Sequence, residues 1–286
     1  MKKFKVGIIG GSGLYKIDGL KRVKEVAVRT PFGAPSDKVV TGDLDGVGVV
    51  FLPRHGRGHT IPPHQINYRA NICAMKMMGV SKLISVAAVG SMKEEIEPGH
   101  LIVPGQIFDR STGRKKTFFE DGVVAHAQFA DPFCRELSDL AASCSRGCGA
   151  TVHEGGTYIC IDGPTFSTRA ESRIFRSWGV DVVGMTALPE ARLAREAELC
   201  YATLALATDY DCWHESEANV SLEQILEVMA KNVAQARGIL LKLIPAAAGL
   251  HDCPCNHAMQ GAIITDPARI PAAARRRLAP IAAKYM

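Results

Sequence analysis

Apolar residues along this chain follow two periodicities, and the alternation between them predicts the fold. Continuous runs rich in valine, isoleucine and leucine recur at FKVGII, VGVVFL, KLISVAAVG, VDVVGM and CYATLALATD, each ending in glycine or polar residues where a strand would become a loop. Between these runs the spacing turns helical. PPHQINYRANICAMKMMG opens on prolines, sets Ile66, Ala70, Cys73 and Met77 at helical intervals, and closes at Gly79. STRAESRIFRSWG offers Ser167 or Thr168 as an N-cap with Glu171 behind it and stops at Gly179. LPEARLAREAEL and SLEQILEVMAKNVAQARGILLKLI continue the series, the second capped by Ser221. Strands lacking a polar face are buried on both sides, so the pattern predicts an α/β fold with a mixed, largely parallel central sheet and helices on both faces. No repeat, low-complexity stretch or linker interrupts the chain before Pro245. Residues 1–286 therefore read as a single domain with its core at about 4–245, followed by a Pro/Ala-rich tail, 246–286, that docks as a short helix.

Ligands in such folds bind beyond the carboxyl ends of the strands, and here each strand end carries chemistry. The first opens into the glycine-rich loop of KVGIIGGSGLY. Counting from Gly11 and Gly13, Lys16 occupies the place of the third glycine in a dinucleotide fingerprint, and no G-K-[ST] follows. A short loop with one hydroxyl, Ser12, remains, which suits a small anion such as free phosphate. Arg54 and His55, after VVFL, supply a guanidinium fork and an imidazole donor for the same oxyanion. The AAVGS turn adds backbone donors at Ala87 and Ala88, and Thr186 a further hydroxyl. Asp209 and Asp211 stand one residue apart at the end of the last apolar run; if the strand continued, both carboxylates would face the same side. Burying carboxylates costs several kcal/mol unless a partner hydrogen-bonds or protonates them. A purine's N7 and exocyclic amine would satisfy them, and a carboxyl of raised pKa could donate to N7 as the base departs.

Charge and composition narrow the partners. The formal charge of +5 over 286 residues is mild and scattered, apart from Arg275-Arg276-Arg277, which fits small anionic substrates better than nucleic acid. No apolar run reaches membrane-spanning length, and Met1-Lys2-Lys3 leads into a short apolar segment that runs into glycines without a cleavage site, so a cytoplasmic protein is expected. Nine cysteines cannot form a complete internal disulfide set, and Cys73 and Cys160 look like small buried hydrophobes. HDCPCNH, from His251 to His257, invites a zinc reading, but one C-x-C with no second pair at ligand spacing argues against metal.

The blocks GIIGGSGLY, TPFGAPSD, PRHGRGHTIPPHQINYRAN, AVGSMKEEIEPG, YICIDGPTFSTRAES, GMTALPEARLARE and YATLALATDYDCW together resemble the 5′-methylthioadenosine phosphorylase branch of the purine nucleoside phosphorylase family, from about Lys5 to Pro245. The resemblance implies a nucleoside phosphorylase-like fold and attack of inorganic phosphate on C1′ of 5′-methylthioadenosine. Phosphate is then a co-substrate, and neither a cofactor nor a metal is expected. It implies that Ser12, Arg54, His55, Ala87, Ala88 and Thr186 hold phosphate, and that Met185 packs on the ribose. Phe166 would lie against the purine, with Asp209 as the acid at N7 and Asp211 binding the amine. His126 resembles a residue contributed across a subunit interface to a neighbour's 5′ pocket, which implies a homotrimer or a dimer of trimers. Some relatives carry threonine where Ala87 stands, leaving only its backbone for phosphate. The CPC tail resembles a disulfide-bearing subgroup, implying Cys134–Cys200 and Cys253–Cys255 pairs, although that subgroup's other paired cysteine falls on Arg195 here. A phosphorylase of 6-oxopurine nucleosides or 5′-methylthioinosine is the nearest alternative, disfavoured because O6 and N1–H suit an asparagine amide better than Asp209. A dinucleotide-dependent oxidoreductase and a non-catalytic nucleotide-binding module are the alternatives of other classes.

Overall fold

A computed structural model describes residues 5–11, 13–14, 17–214, 222–251 and 253–286. In chain order the strands and helices are β1 (Val6–Gly10), β2 (Lys21–Val26), β3 (Val39–Leu44), β4 (Val47–Pro53), α1 (Tyr68–Met77), β5 (Lys82–Ser91), β6 (Leu101–Val103), β7 (Gln106–Asp109), α2 (Arg135–Arg146), β8 (Val152–Glu154), β9 (Thr157–Cys160), α3 (Arg169–Ser177), β10 (Val182–Gly184), α4 (Ala187–Glu196), β11 (Cys200–Asp209), α5 (Leu222–Gly249) and α6 (Ala272–Ala282).

All eleven strands join one mixed sheet in the order β2-β3-β4-β1-β5-β10-β9-β7, with β11 on the other side of β5 and β6 and β8 beyond it. Parallel pairing links β4, β1, β5 and β11, whose apolar runs are buried on both faces, as a helix-covered parallel sheet requires. Alternation along β1 sorts its side chains between two cores: Val6 and Ile8 pack with Leu137 of α2 and Leu240 of α5, whereas Ile9 packs with Ile72 of α1 and Ala191 of α4. Each fully buried aliphatic side chain contributes about 1.5–3 kcal/mol relative to exposure, so the two layers hold the strand tips in fixed relation.

The central strands and helices α1, α3, α4 and α5 agree with the sequence pattern, with informative differences at their ends, while α2 was not marked by it. α3 has the expected capping box, Thr168 being the cap and Glu171 its reciprocal partner. α1 begins later than the prolines suggest: Pro63–Gln65 forms a 3-10 turn, and Asn67 caps the helix by accepting from Ala70 N–H. The expected Ser221 cap lies outside the described residues. α5 runs through Pro245 to Gly249, and the segment after it belongs to the core, with Ile270, Ala274, Leu278 and Ile281 packed into the layer that contains α1. Among the described residues no helix is long and apolar enough to cross a membrane.

The site is positioned by a break in this sheet. β1 accompanies β5 only as far as Ile9 opposite Ser85, and β10 joins the same edge, antiparallel, only at Gly90 and Ser91. Between them, Val86 to Val89 have no strand on that edge among the described residues, while β11 continues along the opposite one.

Candidate active site

Arg54 stands just past the end of β4, its N–H bonded to the Gly10 carbonyl at 2.9 Å. Its guanidinium points inward and is almost fully enclosed. Nε donates to Glu190 Oε2 at 2.8 Å and Nη2 to Glu190 Oε1 at 3.0 Å, a two-point ion pair with α4. Nη2 also reaches Ser85 Oγ at 2.6 Å and Nη1 the Val86 carbonyl at 3.0 Å. Burial opposes the guanidinium's charge, and the Glu190 carboxylate outweighs it, raising the Arg54 pKa. The fork expected to grip an oxyanion is thus largely occupied by protein groups, and Arg54 locks β1, β4, β5 and α4 together at the gap. Gly10 permits this approach, since a Cβ there would lie 2.4 Å from Leu14 Cδ1 and 3.0 Å from the Val86 oxygen.

His55 also differs from the expected donor. Its Nδ1 lies 2.9 Å from the Ile61 carbonyl, which can only accept, so Nδ1 carries the proton. Burial, followed by the charge of Arg54, pushes the imidazole down to about 4, leaving the ring neutral near pH 7 with Nε2 as an acceptor. It would therefore accept a hydrogen bond from the hydroxyl of a protonated phosphate.

Neighbouring residues of a strand direct their peptide groups to opposite edges. Because Arg54 meets the Val86 carbonyl on the open edge, the Ala88 N–H, two residues on, faces that edge too, and Ala88 is exposed in the middle of a central strand. Ala87 lies between them, so its N–H turns toward β11, where it pairs with Ala205. Of the two expected backbone donors, Ala88 is available at the gap and Ala87 belongs to the ladder. Thr186 is the N-cap residue of α4 but makes no side-chain cap bond; its hydroxyl lies against that of buried Tyr158. Ser12 lies outside the described residues. Of its loop, Gly13 is held by Arg237 Nε of α5 on its carbonyl at 2.8 Å.

The other end of the gap is acidic. β11 ends at Asp209, so the strand does not continue to Asp211, which takes a positive φ of 52° in the following turn. The turn still brings the two acids together: Asp211 N–H donates to Asp209 Oδ1 at 2.8 Å, and Thr208 Oγ1 donates to Asp209 Oδ2 at 2.6 Å. Asp211 is buried, and burial, aided by the charge of Asp209, pushes it up to about 6. Gly90 makes room for both, since a Cβ there would meet Asp209 Oδ1 at 3.0 Å and Asp211 Cβ at 3.4 Å. The stretch from Val86 to Gly90 spans ~13 Å at ~3.3 Å per residue, about the length of a phosphate placed under a nucleoside.

Two further loops border the gap. Arg114 donates from Nη1 to the carbonyls of Met185 and Leu188, at 2.8 and 2.6 Å, and from Nη2 to those of Ile161 and Asp162, at 3.1 and 2.8 Å. It thereby fixes the backbone of Met185 to the loop that carries Phe166. Phe166 is exposed, and its neighbour Ser167 accepts from the Cys212 thiol at 3.3 Å, tying that loop to the acidic turn. His126 is not gathered with these residues. It is exposed and lines a separate cavity of about 420 Å³ with Lys116, Phe129, Arg192 and Glu196.

Sequence reasoning missed Glu190, Arg114 and Gly90. Glu190 and Arg114 are charged residues that no local pattern marks as buried, and Gly90 reads as a strand terminator.

A family model described as the phosphorylase superfamily matches residues 5–245. The chain is 56% identical over 282 residues to the S-methyl-5′-thioadenosine phosphorylase of Geobacter sulfurreducens, covering 98% of this chain and 99% of that one. It superposes with a TM-score of 0.95, at 41% identity, on a methylthioadenosine phosphorylase sourced from an antarctic soil metagenomic library, covering 98% and 99% of the two chains. The methylthioadenosine phosphorylase of Schistosoma mansoni in complex with adenine gives a TM-score of 0.85 at 38% identity, over 91% and 97% of the chains.

Proposed function

Because the chain belongs to the phosphorylase superfamily, we propose that its reaction is the phosphorolysis of 5′-methylthioadenosine to adenine and 5-methylthioribose 1-phosphate. The observation that carries this reading is the open edge of β5, toward which the Ala88 N–H faces near the middle of the gap, with the Asp209–Asp211 pair at its Gly90 end. Phosphate sits at Ala88, with the Thr186 hydroxyl and the Ser12 loop as further donors and His55 Nε2 accepting a phosphate hydroxyl. Arg54 contributes a buried positive charge and holds the surrounding strand ends in place. Held in line beneath C1′, phosphate needs little covalent help, since orientation supplies much of the acceleration. Met185 lines the ribose and Phe166 the purine face.

At the base end the two carboxyl groups share one proton, because a second ionisation beside Asp209 in a buried turn is unfavourable. Asp209, less buried than Asp211, presents the acid to N7, and the pair neutralises the charge that appears on the leaving purine. Among the described residues the apolar patch of Phe108, Ile174 and Trp178 is exposed, with the Phe108 and Trp178 rings 5.4 Å apart, and it suits a subunit interface. Together with exposed His126, it supports a trimer or a dimer of trimers in which His126 serves a neighbour's 5′ pocket. A reducing cytoplasm suits nine unbridged cysteines.

Incubating the protein with 5′-methylthioadenosine, adenosine and inosine, each with and without phosphate, tests the reading. Adenine is expected from the methylthio compound only when phosphate is present. Phosphate-independent release, or release of hypoxanthine in preference to adenine, would contradict it, and binding without release would leave only a nucleoside-binding module.

A further inference from the structure

At the opposite end of β11 from the acidic turn, Cys134, Cys200, Cys253 and Cys255 converge, with all four sulfurs within 4.8 Å of one another and all four residues buried. Each comes from a differently anchored element: Cys134 is the N-cap of α2, Cys200 begins β11, and the C-x-C pair lies in the segment after α5, where Pro254–His257 forms a 3-10 turn. The C-x-C that lacked a second pair in the sequence acquires one through the fold, across separations of 119 and 53 residues.

We propose that these four thiols form a tetrahedral tetrathiolate site for one zinc ion, which fastens the C-terminal segment to the sheet. A Zn–S bond of about 2.3 Å gives a tetrahedron with edges of about 3.8 Å. Cys134 and Cys253 sulfurs are 3.8 Å apart, while those of Cys200 and Cys253, at 2.9 Å, need to separate slightly. Neither distance approaches the ~2.0 Å of a disulfide, and all four are free thiols, so the bridges implied by the family resemblance are not formed.

The surroundings are those of a thiolate centre. Asn256 N–H donates to Cys253 Sγ, and Lys82 Nζ lies 3.3 Å from Cys200 Sγ. Lys82 is itself held by the His251 carbonyl at 2.9 Å. Arg195 and Cys255 share the wall of a cavity of about 610 Å³, also bordered by Cys134 and Cys253, which provides an entry path. These two cations offset the negative charge of a zinc tetrathiolate, and coordination releases the thiol protons to solvent without any redox step.

The test uses the full chain, expressed with zinc in the medium and passed through gel filtration. About one zinc ion per chain is expected by elemental analysis, released as an organomercurial titrates the thiols. Exchange with cobalt should give the thiolate-to-cobalt charge-transfer band and strong visible bands of a tetrahedral site. Cys255→Ser should lower retained zinc at least tenfold after dialysis against a chelator, and Cys144→Ser should retain it. Folded wild-type protein without zinc, whether its thiols remain free or its intact mass reveals disulfides, overturns the proposal. So does cobalt that binds without the charge-transfer band. Because the wild-type measurements stand alone, misfolding of Cys255→Ser would not rescue it.

Discussion

Asp209→Ala is expected to lower kcat/KM for 5′-methylthioadenosine by ~10²–10⁴, the usual contribution of a positioned general acid. Asp209 sits at the end of β11 with its oxygens held by Thr208 and Asp211, and it is the more accessible member of the pair. The loss should fall mainly on kcat, because charge on the purine develops only as the glycosidic bond breaks. Asp209→Asn separates recognition from proton supply. An amide can pair with O6 and N1–H of a 6-oxopurine, so this variant should shift preference from adenine toward hypoxanthine nucleosides in a competition assay. Undiminished adenine selectivity would contradict the assignment. The pair also sets a pH dependence. Asp211 has its pKa raised to about 6, so its acid form is present below that value and is lost as pH rises through it. The kcat/KM profile should therefore carry a declining limb above pH about 6 that Asp211→Asn, which does not ionise, removes.

Glu190→Ala is expected to destabilise the protein by about 3–5 kcal/mol, the penalty for leaving a buried charge unpaired. Arg54 and Glu190 are 2% and 0% exposed and 2.8 Å apart, and Tyr201 adds a hydrogen bond to Glu190 at 2.9 Å. Urea denaturation would measure the loss as a lower midpoint at unchanged slope. Arg54→Met combined with Glu190→Leu should recover much of that stability, because apolar side chains of similar volume tolerate the site. It should not recover activity, since the strand ends bordering the gap lose their tether and the phosphate end loses its positive charge. Full activity in the double variant would show that Arg54 serves stability alone.

The fold was largely legible because its central strands carry their own signal. CYATLALATD coincides with β11, and VGVVFL and KLISVAAVG lie within β4 and β5, since a strand buried on both faces must be apolar throughout. The edge strands were not legible: β2, KRVKEV, is mostly exposed and its composition says nothing of pairing. Direction was hidden too. VDVVGM reads as another core strand, but only the tertiary fold turns β10 antiparallel to β5 and so opens the edge at Ala88.

Site residues divided along the same line. Asp209 and Arg54 drew attention because they end apolar runs, whereas Ala88, read as part of an AAVGS turn, lies inside β5, which runs on to Ser91. Glu190 was missed because LPEARLARE reads as an amphipathic surface helix, and its burial depends on a partner 136 residues away. The direction of a side chain was equally unreadable. The Arg54 side chain faces inward, and the backbone N–H of Ala87 faces β11, for reasons of strand parity and pairing that no spacing in the sequence reveals.

A crystal structure of the protein with phosphate and a cleavage-resistant analogue of 5′-methylthioadenosine tests the central claim most directly. The account predicts the phosphate within hydrogen-bonding distance of Ala88 N–H and Thr186 Oγ1, below C1′, with purine N7 against Asp209. Phosphate bound away from the open edge of β5, or a purine turned from the acidic pair, would contradict it.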